Sequence, residues 1–266
     1  MLYLKKNISG LAAVITLVSC GNTNAGQELK EPVPRQITTS DQAEAWTVNS
    51  GDYDYSASHA GQKVILDVPY YSQKKYPTGC ELVSTSMALA YTGTMITAQE
   101  LVTEGYIEAV DFYSKKGDKT LYGGDPNKVF IGDPLKEDGY GCFSGAIVSA
   151  LEKLLPSNKY EVKDLTGTEL NDLCRLYIDK DIPVIVWASL DMKPTFRSEK
   201  NSWTIEETGE KFTWISNEHC LVLVGYDDDN YYFNDPQKGS GTPYKRKVAE
   251  KRYKELNQQA VAVIEK

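Results

Sequence analysis

Pro77-Thr-Gly-Cys80-Glu-Leu-Val-Ser-Thr-Ser-Met-Ala-Leu-Ala-Tyr91 opens on a turn signal and runs straight into a helix-forming stretch. Leu82, Ser86 and Leu89, with Val83, Met87 and Ala90 beside them, recur at helical spacing, and Gly93 supplies the stop. The spacing predicts a helix from Cys80 to Tyr91 with a cysteine as its first residue. A sulfur there lies near the free N–H groups of the first turn, where the positive end of the helix dipole favours thiolate over thiol.

Upstream, Val64, Leu66 and Val68 alternate within residues 63–70 and read as a short strand. Downstream, Thr97-x-x-Glu100 is a capping box for a second helix. Residues 141–155, ending before Pro156, carry a third helix and residues 166–180 a fourth. The second half turns to strands: 182–189, a hairpin around Glu207-Thr-Gly-Glu210, then 220–225 and 231–234 across an Asp-rich turn. A helix over 248–258 and a strand over 260–264 complete the chain. Helices early and strands late predict an α+β domain, its N-terminal helices packed on a mostly antiparallel C-terminal sheet.

The chain has 266 residues, 41% hydrophobic and 25% charged, a globular composition that excludes disorder throughout. With 37 acidic against 29 basic residues and a net charge of −8, it lacks the basic surface that nucleic-acid binding needs. At the start, Lys5 and Lys6 precede an apolar run, 8–18, of signal-peptide length. That run ends in Leu17-Val18-Ser19-Cys20, which resembles a bacterial lipobox. The expected organisation is a signal peptide over 1–19, a lipid-bearing Cys20 opening a flexible polar tether over 20–61, and one folded domain over 62–266. Loss of Lys5 and Lys6 would take the charge from −8 to −10. The expected address is extracytoplasmic, with the protein, as a monomer, attached to the membrane through lipid on Cys20.

Imidazole is scarce, with two histidines in the chain, and His59 falls in the tether. His219, opening the apolar strand Cys-Leu-Val-Leu-Val-Gly, is left as the base partner that a Cys80 nucleophile needs. The side-chain amide of Gln73, beside the Cys80 backbone N–H, is a candidate donor for an oxyanion. An acceptor that orients the imidazole would be Asn234 or Asp235. An even-length turn within 227–230 puts Asn234 on the His219 face, an odd-length loop over 227–229 puts Asp235 there, and a bulge exchanges them. Cys142, Cys174, Cys220 and His219 lack the paired spacings of a zinc site. Asp227-Asp-Asp-Asn230 lacks a calcium-loop pattern and reads as a solvated hairpin turn. No metal or other cofactor is expected, and Cys142, Cys174 and Cys220 are expected to be buried free thiols.

Taken together, Val68-Pro-Tyr-Tyr-Ser-Gln73, Gly79-Cys80-Glu81, Gly-Asp-Pro134, Gly-Tyr-Gly141, His219-Cys-Leu-Val-Leu-Val-Gly-Tyr-Asp227 and Asn-Asp-Pro236 resemble the C39-like cysteine peptidase family. The resemblance implies a papain-like fold with Cys80 as nucleophile, His219 as base, Asp235 as orienting residue and Gln73 as oxyanion donor. It thereby favours the odd-length loop. Glu81 departs from the pattern, standing where glycine is common in the peptidase members, and a carboxylate there would raise the thiol pKa. The expected function is a lipid-anchored thiol hydrolase, a cysteine peptidase cleaving a peptide or amide bond. The alternative is a non-catalytic surface lipoprotein that binds a peptide or cell-wall component in the same cleft.

Overall fold

The computed structural model describes residues 61–266. The expected signal peptide, Cys20 and all but the last residue of the expected tether lie outside the described residues. The predicted first strand is shorter than its alternation implied: β1 covers only Val64–Ile65. A 3₁₀ turn at Gln73–Lys75 then leads into α1, Cys80–Tyr91. Every residue of α1 from Cys80 to Leu89 is buried. Leucine, valine and methionine are therefore interspersed with small Ser84, Ser86 and Ala88, as suits a helix surrounded by protein.

Helix α2, Ala98–Thr103, starts with both halves of the expected capping box: the Glu100 N–H donates to Thr97 Oγ1 at 3.2 Å, and the Thr97 N–H to Glu100 Oε2 at 2.8 Å. Four short strands follow, β2 (Ala109–Val110), β3 (Tyr113–Ser114), β4 (Leu121–Gly123) and β5 (Phe130–Ile131). Next come α3 (Ser144–Leu154), β6 (Tyr160–Asp164) and α4 (Leu170–Leu176). The strand-rich half comprises β7 (Val184–Ser189), β8 (Phe196–Ile205), β9 (Lys211–Ser216), β10 (Glu218–Tyr226), β11 (Asn230–Asp235) and β12 (Gly239–Lys245). Helix α5 (Arg246–Glu255) and β13 (Ala260–Glu265) end the chain.

The main sheet runs β12-β11-β10-β7-β13-β6, entirely antiparallel, with β1 continuing the β7 side of β10. Every residue of β7 and β10 is buried, so both faces of the sheet centre are covered and α1 lies against it. The expected α+β arrangement is the one observed. A second sheet, β3-β4-β8-β9, carries the 207–210 hairpin away from the first. Its Trp214 stacks on Phe143 with ring centroids 5.0 Å apart, fixing the hairpin to the start of α3.

The hairpin of β10 and β11 decides the site. Beside its turn, Tyr226 pairs with Tyr231 and Gly225 with Tyr232; beyond a bulge, Leu223 pairs with Phe233 and Val222 with Asn234. The turn is therefore the even-length kind, closed by the Asp227 N–H donating to the Asn230 carbonyl at 2.9 Å. The odd-length loop that the resemblance favoured is absent, and the extra residue, Val224, shifts the pairing instead. Val224 turns its carbonyl to the Leu66 N–H at 2.8 Å. A Cβ on Gly225 would lie 2.1 Å from the Val64 carbonyl oxygen, so only glycine lets β1 approach here. The Asp-rich turn is built as a turn: Asp227 Oδ1 accepts from the N–H groups of Asp229 and Asn230 at 2.9 and 2.7 Å.

Candidate active site

The bulge places Asp235, not Asn234, on the face of His219. Nε2 of His219 lies 2.9 Å from Oδ1 of Asp235, and both side chains are 1% exposed. Asp235 also accepts from the Gln237 N–H at 3.0 Å and, on Oδ2, from the Tyr244 hydroxyl at 2.8 Å. Burial alone would push the carboxyl up, yet its bonds from His219, Gln237 and Tyr244 hold it below the usual range. Asn234 points elsewhere and ties the sheet to the site loop: its Nδ2 donates to the Val68 carbonyl at 2.9 Å, and its Oδ1 accepts from the Gly241 N–H at 2.9 Å.

Cys80 opens α1 as expected, and its sulfur lies against strand β10. The Cys220 N–H donates to Sγ at 3.4 Å, beyond the Val222–Asn234 pair of the β10 and β11 ladder. One turn along α1, the Ser84 hydroxyl donates to the Cys220 carbonyl at 3.1 Å, so the helix grips this strand residue from both ends. The thiol donates to Oε2 of Glu81 at 3.4 Å. The ring nitrogen of His219 that a Cys–His dyad would use, Nδ1, has no hydrogen-bond partner.

The packed surroundings oppose the thiolate that the helix start favours. Burial, then the carboxyls of Glu81 and Glu218, push Cys80 well above the ordinary thiol range, against the single lowering contribution of the Cys220 N–H. Glu81 itself is pushed up to about 7 by burial, although the Cys142 N–H donates to its Oε1 at 2.8 Å. Glu218 is raised well above the carboxylate range by burial and by Glu81. Neither its place next to the histidine nor its acidity marked Glu218 in the sequence; only the pleat of β10 brings it to the sulfur.

Cys80 Sγ and one carboxylate oxygen each of Glu81 and Glu218 lie within 4.8 Å of one another, the one such group of metal-ligating atoms among the described residues. Cys142, Cys174 and Cys220 are free and buried, as is Cys80.

Gln73 sits on the 3₁₀ turn and is 4% exposed. Its Nε2 donates to the carbonyls of Pro77 and Tyr76 at 3.2 and 3.4 Å, tying the turn to the segment that feeds α1, while Oε1 has no partner. The Gln73 N–H donates to the Pro236 carbonyl at 2.9 Å, which joins this loop to the end of β11. A groove of about 700 Å³, lined by Tyr70, Tyr71, Tyr76, Val83, Met95 and Ile96 among others, opens beside the same loop.

The two weaker sequence blocks gain a physical role here. Gly141, at φ +140°, passes so close to Glu81 that a Cβ would lie 2.0 Å from Oε1. Gly139 likewise packs against Thr78 and Asp133, where a Cβ would lie 2.4 Å from the Thr78 hydroxyl. Glycine spacing therefore shapes the seat of the Glu81 carboxyl.

Comparison with known proteins places the chain in a family. Residues 65–261 match the model of the Peptidase_C39 like family. The chain is 30% identical over 223 residues to the uncharacterized protein YvpB of Bacillus subtilis (strain 168), covering 81% of this chain and 84% of that one. Its fold is similar to a crystal structure from Bacillus anthracis described as a C39-like peptidase, with a TM-score of 0.64 and 29% identity over 77% of this chain and 98% of that one. From Ile65 to Val261, therefore, the chain that carries Cys80, His219 and Asp235 belongs to the C39-like peptidase family.

Proposed function

We propose that the protein is an extracytoplasmic, lipid-anchored cysteine peptidase that cleaves a peptide or amide bond through Cys80, His219 and Asp235. The observation that carries the reading is the buried His219–Asp235 pair, which uses Nε2 and leaves Nδ1 open one residue from the Cys220 N–H that touches the sulfur. In the reaction, the Cys80 thiol gives its proton to Nδ1 and the sulfur attacks the carbonyl carbon. His219 then returns a proton to the leaving amine as the C–N bond breaks, and activates the water that hydrolyses the thioester. Asp235 holds the ring and stabilises the imidazolium. The Cys80 N–H and the Gln73 amide receive the oxyanion, for which Gln73 exchanges its present carbonyl partners. The groove beside the Gln73 loop offers apolar side chains of a peptide a seat, and Cys20 carries the lipid that keeps a monomeric enzyme at the membrane.

A specific observation favours the second reading, a binding protein that holds a peptide or cell-wall component without turnover: the thiol is buried, its pKa is pushed up by that burial, and it is bonded to Glu81 instead of His219. The full-length protein incubated with a complex peptide library, its products read by mass spectrometry, separates the two. New termini that vanish in Cys80→Ala and His219→Ala support the peptidase. Retention of peptides without cleavage by the wild type supports the binder. Metabolic labelling with a fatty-acid analogue, lost in Cys20→Ser, tests the anchor.

A further inference from the structure

Beside the nucleophile, the carboxyls of Glu81 and Glu218 are packed together in a buried site. The titratable groups facing Glu81 are Cys80 from α1, Cys142 from the segment before α3, and Glu218 and Cys220 from β10. Among the described residues, no lysine or arginine acts on either carboxyl. Two carboxyls this close in a dry site do not both ionise, so they share a proton, as paired carboxyls do elsewhere. Glu81 then presents Oε2 as the acceptor for the Cys80 S–H at 3.4 Å, while its Oε1 is pinned by the Cys142 N–H at 2.8 Å. Glu218 Oε1 and His219 Nδ1 are buried and unpartnered, one on each side of the strand that the sulfur abuts. The thiol thus has two places to go and occupies the one that is not the dyad.

We propose that Glu81 is a positioning residue for the nucleophile: backed by Glu218, it parks the Cys80 thiol away from Nδ1 of His219, and attack requires release from it. The inference rests on the peptidase reading above. On release, the S–H···Oε2 bond breaks with the proton still on sulfur, and the side chain rotates about Cα–Cβ. The S–H bond then breaks as an N–H bond forms at Nδ1, giving thiolate and imidazolium; the carboxyl pair keeps its own proton. Gly141 is part of the device, because any side chain there would expel Oε1 from its seat.

The test is the pH dependence of Cys80 alkylation by iodoacetamide in the full-length protein, with Cys80→Ala as the blank. Glu81→Gln removes an anion from the sulfur and is expected to move the inflection down by about one pH unit, roughly tenfold faster labelling near neutrality. Glu81→Asp, which keeps the charge, should return the profile toward the wild type, a rescue that a purely structural role would not produce. If Glu81→Gln does not fold, Glu81→Ala carries the test, since it too removes the carboxylate from the sulfur and should speed labelling. A folded Glu81→Gln or Glu81→Ala protein with the wild-type profile would overturn the proposal. The reading beneath it fails differently: labelling that shifts in Glu81→Gln but not in His219→Ala, with no peptide cleaved, leaves Glu81 in place and removes the peptidase.

Discussion

The hydroxyl of Tyr244 donates to Oδ2 of Asp235 at 2.8 Å, the carboxylate oxygen that His219 does not use. The tyrosine comes from edge strand β12, and burial together with Asp235 raises its own pKa, so it stays a donor at any physiological pH. Its role is to fix the carboxylate plane and, through it, the imidazole. Tyr244→Phe keeps the ring and removes one charge-assisted bond, and should lower kcat/KM on a cleaved library peptide about tenfold, ~1.4 kcal/mol of barrier. The loss should fall on kcat, with thermal stability little changed.

Asp235 and Asn234 are neighbours with opposite duties. Asp235→Ala should abolish cleavage and leave folding intact enough for Cys80 to be labelled. Asn234→Ala leaves the Val68 carbonyl and the Gly241 N–H without their partners and should cost about 1–3 kcal/mol in urea unfolding, with cleavage retained.

Glu81 sets a slope in stability against pH. Its folded pKa of about 7 lies above the usual carboxylate value, so between about 4.5 and 7 the unfolded chain releases a proton that the folded chain keeps. Stability from this group is therefore fully present in acid and declines as pH rises through that window, by at most about 1.4 kcal/mol per pH unit. Glu81→Gln should flatten the decline in urea midpoints measured from pH 4.5 to 7.5. An unchanged slope would contradict the burial argument.

Gly141→Ala combines a positive φ with a Cβ only 2.0 Å from Glu81 Oε1. The substitution should destabilise the protein by roughly 2 kcal/mol or more. In a Glu81→Ala background part of that cost should disappear, and the double-mutant cycle measures the coupling.

The helix that opens on Cys80, the capping box at Thr97 and Glu100, and the late strands were legible because periodicity and caps are local signals. Strand β12 was not: Gly239-Ser-Gly-Thr-Pro-Tyr-Lys245 reads as turn chemistry, and Pro243 is tolerated only because the strand lies at the sheet edge. Of the proposed site, Cys80 followed from its place at a helix start, His219 from scarcity, and Asp235 from the resemblance. The upward push on the thiol pKa did not follow, because a helix start is visible in sequence while the burial that opposes it is a property of the packed sheet. Glu218 was invisible for the same reason.

Val224 works as a phase shifter between the hairpin tip and the site. Because the bulge lies between them, the turn can keep its compact even-length form while the strand beyond it runs in the other register. Were that single residue drawn into the ladder instead of bulging from it, Leu223 would pair with Asn234 and the histidine would face an asparagine in place of an aspartate, one kind of triad exchanged for another with no active-site residue replaced.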